Sequence, residues 1–197
     1  MTVGIVGLGL IGGSMAKSIK ARTAHTVFGC DLDQETMMMA RMCGAIDAPL
    51  TAENLKDCDL VLVAIRPAAA VKWVKEHAEG IRRDAILVDL CGVKRAVVRE
   101  LAPVAEQYGF AYIGGHPMAG RERGGFTAAT DSLYVGASMI LTQGKRTDMQ
   151  LLETLKARDL TREAAPEQPQ PAHEKPYDWQ AEQPAAPAPA PSEDAEK

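Results

Sequence analysis

Two groups of residues in this chain have the types and spacing to do chemistry. His116 stands in the run Gly114-Gly115-His116-Pro117-Met118-Ala119-Gly120-Arg121-Glu122-Arg123-Gly124-Gly125-Phe126, at the exit of a short apolar segment, fixed by a proline and surrounded by glycines. An imidazole has an unperturbed pKa of about 6.5, close to working pH, so it can accept a proton as a general base without large tuning. Near the start of the chain, Gly7-Leu8-Gly9-Leu10-Ile11-Gly12 follows an apolar run at residues 3–6 and precedes Asp31 by 24 positions. That context turns a weak glycine pattern into a specific one: strand, tight turn, helix, second strand, acid.

In that arrangement Gly7 allows the sharp turn, Gly9 lets the backbone approach a pyrophosphate, and Gly12 lets helix and strand pack closely. The N–H groups of Leu10, Ile11 and Gly12 then open a helix whose positive end faces the phosphates. Ser14 adds a hydroxyl or is an ordinary first-turn residue. Asp31 suits the free ribose hydroxyls of NAD, and with Asp33 it repels a 2′-phosphate. No arginine stands immediately after Asp31 to reverse that preference. NAD is therefore the expected cofactor.

Positioning these groups requires a particular set of elements. Short apolar runs at 3–6, 26–30, 45–47, 60–65, 85–89, 111–113 and 136–142 read as strands. Between them, residues 11–22, 34–43, 68–79 and 93–108 have helical spacing. Such alternation predicts an α/β fold, a doubly wound Rossmann-type parallel sheet with strand order 3-2-1-4-5-6 and one further strand at 136–142. Met37, Met38 and Met39 are expected to fill gaps in the core. Residues 148–158 have helical spacing, with Leu151, Leu152 and Leu155 on one side. From Asp159 the composition changes: eight of twelve prolines fall between Pro166 and Pro191, mixed with alanine and acidic residues. Such a stretch cannot bury enough apolar surface to offset its ordering entropy. The expected organisation is a dinucleotide-binding domain over 1–158 and a disordered Pro/Ala/acidic tail over 159–197.

The charge balance narrows the class of partner. The chain carries 22 basic and 26 acidic residues, and the segment 159–197 alone carries net −6, leaving +2 on residues 1–158. There is no basic stripe for nucleic acid. The four cysteines show no C-x-x-C spacing, so no metal site is expected and reduced, buried thiols are. No signal-peptide pattern opens the chain and no apolar run spans a bilayer. A cytoplasmic protein without nucleic-acid or membrane partners is the expectation.

Taken together, the glycine turn Gly7–Ser14, the strip Asp89-Leu90-Cys91-Gly92-Val93-Lys94 and the Gly114–Gly120 motif resemble the prephenate/arogenate dehydrogenase family of tyrosine biosynthesis, over about residues 3–156. The resemblance implies an NAD-dependent oxidative decarboxylation of prephenate or arogenate, with His116 as base and Ile65 and Arg66 on the strand-end segment beside the nicotinamide. It assigns Lys94 to holding an anionic substrate; a solvated lysine at a helix start is the competing reading. The chain departs from the family pattern at Gly92, where a serine usually bonds near the histidine, and at Gly124. Family members continue into a helical domain that dimerises and closes over the substrate, and nothing after Arg158 resembles it. A partner chain supplying that domain, or a non-catalytic nucleotide-binding module, follows from this departure. A relative of the β-hydroxyacid dehydrogenases is a third reading, against which the Gly114–Gly120 motif counts.

Overall fold

The computed structural model describes residues 1–142. It contains seven strands and four α-helices: β1 (Thr2–Val6), α1 (Leu10–Arg22), β2 (Thr26–Cys30), α2 (Gln34–Met42), β3 (Ala48–Pro49), β4 (Leu60–Val63), α3 (Pro67–His77), β5 (Ile86–Asp89), α4 (Lys94–Tyr108), β6 (Ala111–Pro117) and β7 (Met139–Thr142). The sheet order is β3-β2-β1-β4-β5-β6-β7, with every pairing parallel except the antiparallel β6–β7 ribbon. The doubly wound expectation holds, including the reversal of winding between β1 and β4. The helix expected at 148–158 and the tail at 159–197 lie outside the described residues.

Strand side chains alternate between two cores because consecutive residues face opposite sides of a sheet. Val3, Ile5, Leu60, Leu62, Ile86 and Val88 pack with Met15, Ile19 and Ala40 on the face covered by α1 and α2. Val6, Val61, Val63 and Leu87 pack with Val74, Val97 and Leu101 on the face covered by α3 and α4. Strands buried on both faces read as continuous aliphatic runs, which is why β4 and β5 were legible.

Three local expectations need correction. The third strand is only Ala48–Pro49, not 45–47. The Asp47 carboxylate caps the ladder from Val27 N at 2.7 Å and ties to Lys20, while Pro49 offers no N–H to extend it. Strand β6 runs four residues past the expected 113, because β7 pairs with Gly114–Pro117. His116 therefore lies within the sheet's edge ribbon rather than in a loop after it. Of the three methionines expected to fill the core, Met37 and Met39 pack against it but Met38 is exposed.

Helix α1 is also gripped from the side away from the sheet. Residues 126–134 lie across it: Tyr134 Oη donates to Ile11 O at 2.7 Å, Lys17 Nζ donates to Ala129 O at 2.8 Å, and the Lys17 ammonium sits 4.3 Å from the centre of the Phe126 ring. Being buried on both sides explains why the small residues Gly12, Gly13 and Ser14 follow Leu10 and Ile11 at the start of α1. A Cβ on Gly13 would lie 2.7 Å from the Phe126 ring.

Candidate functional site

The carboxyl ends of β1, β2, β4 and β5 converge on one cleft of about 850 Å³. Open α/β sheets bind ligands here, where the winding reverses. In strand order its lining includes Cys30, Asp31 and Leu32 at the end of β2; Val6, Gly7, Gly9 and Ile11 at the end of β1 and beyond it; Ala64, Ile65 and Arg66 after β4; and Leu90, Cys91 and Gly92 after β5. Trp73 and Lys72 reach it from α3. Sequence reasoning missed Trp73; its place on α3 offered no local signal.

Each glycine of the turn has a distinct physical reason. Gly7 has φ +86° and donates to Cys30 O at 2.8 Å, a conformation that strains any side chain. A Cβ on Gly12 would strike the carbonyl oxygen of Gly7, so this glycine seals helix to turn. Nothing lies within 4 Å of where a Gly9 Cβ would be, so a ligand can approach the backbone there. No side chain caps α1 and no acid lies in its first turn, which leaves its leading N–H groups for an anion. Leu10 and Gly12 are not in the cleft lining themselves; their main chain forms this helix start. The lining carries Arg66 and Lys72 against Asp31 and Glu76, so its side chains balance in charge and the helix N-terminus is what remains to attract an anion.

Asp31 is fixed from two sides. Leu8 N donates to its Oδ2 at 2.7 Å and Asp33 N donates to its Oδ1 at 3.0 Å. A carboxylate has about four acceptor positions, so two remain for paired hydroxyls. Asp33 caps α2 through Thr36, whose N–H and hydroxyl hold its carboxyl below the usual range. Ser14 is buried and accepts from Thr130 N at 3.0 Å, so its hydroxyl joins α1 to the covering segment.

At the opposite end of the cleft the groups are less well satisfied. His116 does not line the cleft; it stands on β6 behind Gly92, which does. A Cβ on Gly92 would lie 3.4 Å from His116 Cε1 and 3.9 Å from Nδ1. That Nδ1 is buried and has no hydrogen-bond partner. Cys91 does not compensate for the missing hydroxyl: its thiol points to Ile65 O at 3.5 Å and packs in the α3–α4 core. Burial, reinforced by the Asp89 charge, pushes that thiol up to about 12, so it is neutral at working pH.

Lys94 is neither solvated nor in the cleft. Its ammonium pairs with the fully buried Asp89, and its side chain is 17% exposed. Tyr112 Oη donates to the other Asp89 oxygen at 2.8 Å, a partner that sequence reasoning did not identify. Among the described residues, no group of three or more His, Cys, Asp or Glu side chains could hold a metal ion, and no helix is long and apolar enough to cross a membrane.

Comparison with known proteins gives a consistent result. The family model "Prephenate dehydrogenase, nucleotide-binding domain" matches residues 15–164. A prephenate dehydrogenase of Bacillus subtilis is 34% identical over 159 residues, which is 79% of this chain and 43% of that protein. A probable 3-hydroxyisobutyrate dehydrogenase of Dictyostelium discoideum is 30% identical over 141 residues, 70% of this chain and 43% of that protein. The crystal structure of prephenate dehydrogenase from A. aeolicus, in complex with hydroxyphenyl propionate and NAD+, superposes with a TM-score of 0.72 at 30% identity. The match covers 82% of this chain and 57% of that one. Synechocystis arogenate dehydrogenase gives the same TM-score at 29% identity, covering 81% of this chain and 57% of its own. The chain thus spans about half the length, or less, of the curated relatives it matches.

Proposed function

Because this chain belongs to the family of prephenate dehydrogenase nucleotide-binding domains, we propose that it binds NAD in the cleft between Asp31 and Gly92 and serves the oxidative decarboxylation of prephenate or arogenate. The observation that carries this reading is one continuous cleft joining a fixed ribose acceptor, an uncapped helix start and the Gly92 wall against which His116 rests.

The residues divide the work. The α1 N–H groups neutralise the pyrophosphate, and the two free acceptor positions of Asp31 take the adenosine ribose hydroxyls. Ile65 and Arg66, at the end of β4, flank the nicotinamide half. When bound, the nicotinamide supplies a hydride acceptor. His116 takes the proton of the substrate's ring hydroxyl as hydride leaves the carbon that bears it; carbon dioxide departs and the ring becomes aromatic. General-base action of this kind contributes roughly 10²–10⁴ in rate. Substrate carboxylate recognition falls to groups outside the described residues, consistent with relatives that carry more than half their length beyond the matched portion.

That last fact favours a second reading, a nucleotide-binding module that needs a separate helical chain, or that performs no chemistry. One experiment separates them: NADH formation from prephenate and from arogenate, with NAD affinity measured in parallel by quenching of Trp73 fluorescence in a Trp179→Phe background. Turnover that falls at least a hundredfold in His116→Asn, with NAD affinity within about twofold, supports the enzyme. NAD binding with no turnover at any enzyme concentration, even with a helical-domain protein added, supports the module.

A further inference from the structure

Asp89 is the one acidic side chain among the described residues that is wholly removed from solvent, and no step above uses it. It ends β5 and gathers three donors. Cys91 N donates to Oδ1 at 3.1 Å, Lys94 Nζ donates to the same oxygen, and Tyr112 Oη donates to Oδ2 at 2.8 Å. A buried ion pair is poor evidence of stability, because removing two charges from water costs about what their attraction returns. Its location is more informative than its energy.

The cluster touches both walls of the His116 site. Through Cys91 N it pins the turn that carries Gly92, the residue whose Cβ would meet the imidazole. Through Lys94 and Tyr112 it holds β6, the strand that carries His116. A Cβ on Gly114 would lie 3.1 Å from Lys94 Cδ and 3.4 Å from Asp89 Oδ2. A Cβ on Gly115 would lie 3.0 Å from Asp89 O and 2.8 Å from Val88 Cγ1. Gly114 therefore lets the strand lie directly on the buried pair, and Gly115 lets it lie against the main chain at the end of β5.

We propose that Asp89, Lys94 and Tyr112 form a positioning cluster that sets His116 against the Cys91–Gly92 turn, and that Lys94 acts through Asp89 rather than on substrate. With Nδ1 unbonded, no hydrogen bond at that atom orients the imidazole, and the cluster fixes both the strand that carries the ring and the turn that the ring faces. The inference rests on the reading of His116 as base, but it is tested without turnover.

The test is histidine-labelled NMR on the full chain, with the His116 ring resonance assigned by its loss in His116→Asn. Tyr112→Phe removes one donor and keeps the ring. It is expected to shift the His116 resonance or split it into two, leave the His25 and His77 resonances in place, and keep NAD affinity within twofold. Lys94→Met is expected to do the same with a larger shift; if it does not fold, Tyr112→Phe alone decides. A His116 resonance unchanged in folded Tyr112→Phe overturns the proposal. So does a Lys94→Met chain that loses prephenate affinity while its His116 resonance stays fixed, because Lys94 would then be touching substrate. Absence of turnover in the unmodified chain bears on the base assignment and leaves these spectra readable.

Discussion

The two ends of the cleft are built to different standards of completeness. At the β1–β2 end, both oxygens of Asp31 are held by main-chain N–H groups, Gly7 and Gly12 are each required by a contact, and Gly9 leaves space where a ligand must approach. At the β5–β6 end, Asp89 is fully satisfied underneath, yet the His116 imidazole above it has an unbonded Nδ1 and faces an exposed Gly92. A buried polar atom without a partner costs about 1–3 kcal/mol, so the second end is the one with something to gain from a further group. On the proposed function, the nucleotide end needs only its cofactor and the reaction end depends on whatever completes it.

The largest expected break in this comparison is at Gly12. Gly12→Ala drives a methyl into the Gly7 carbonyl and toward Ala64 Cβ, 3.0 Å from the new atom, and neither neighbour is the far end of a flexible side chain. Overpacking of a rigid contact costs roughly 3 kcal/mol. The urea midpoint should fall accordingly, and NAD binding should weaken by more than tenfold in whatever protein remains folded. A variant with unchanged midpoint and affinity would show that the turn is not the tight junction described above.

How much of this was legible in the sequence follows the same division. The glycine turn and Asp31 could be read because each depends on neighbours within 24 residues, and because main-chain geometry dictates the residue type. Strand β6 could not be read to its end: Gly114 and Gly115 carry no strand propensity, and only pairing with β7 extends it through His116. Lys94 was left between substrate contact and solvent because sequence spacing cannot show that it and Tyr112 converge on the buried Asp89. Ser14 was offered to the phosphates for the same reason; its partner, Thr130, is 116 residues away. Local geometry was legible, and polar pairing across the fold was not.

Asp31→Ser probes the nucleotide end more gently than Gly12→Ala. It removes the charge that repels a 2′-phosphate and weakens the acceptor for Leu8 N, itself worth about 1.5–3 kcal/mol as a bond to a charged group. NAD affinity should drop about tenfold, and the ratio of NAD to NADP affinity should narrow by a similar factor. Fluorescence titration of both cofactors reads this directly. Equal affinities in the unmodified chain would remove Asp31 as the selecting residue.

The smallest effect is expected at Gly92, and it sharpens the comparison most. Gly92 does not have the left-handed φ that would strain a side chain, and the nearest atoms to its added Cβ are those of the His116 ring, at 3.4 and 3.9 Å. A serine hydroxyl one bond further out can therefore reach Nδ1, satisfying the orphaned atom and fixing the ring. One neutral hydrogen bond contributes about 1 kcal/mol, which corresponds to roughly a fivefold change in rate if it is made in the transition state. Gly92→Ser should leave NAD affinity and the urea midpoint nearly unchanged and raise kcat by that factor, or give a His116 ring resonance typical of a bonded Nδ1 where no turnover is present. The same substitution made with His116→Asn should gain nothing, because the hydroxyl acts only through the imidazole. If Gly92→Ser lowers turnover, or leaves the His116 resonance where it was, then the glycine belongs to a differently arranged site, and the reaction end is complete without the hydroxyl.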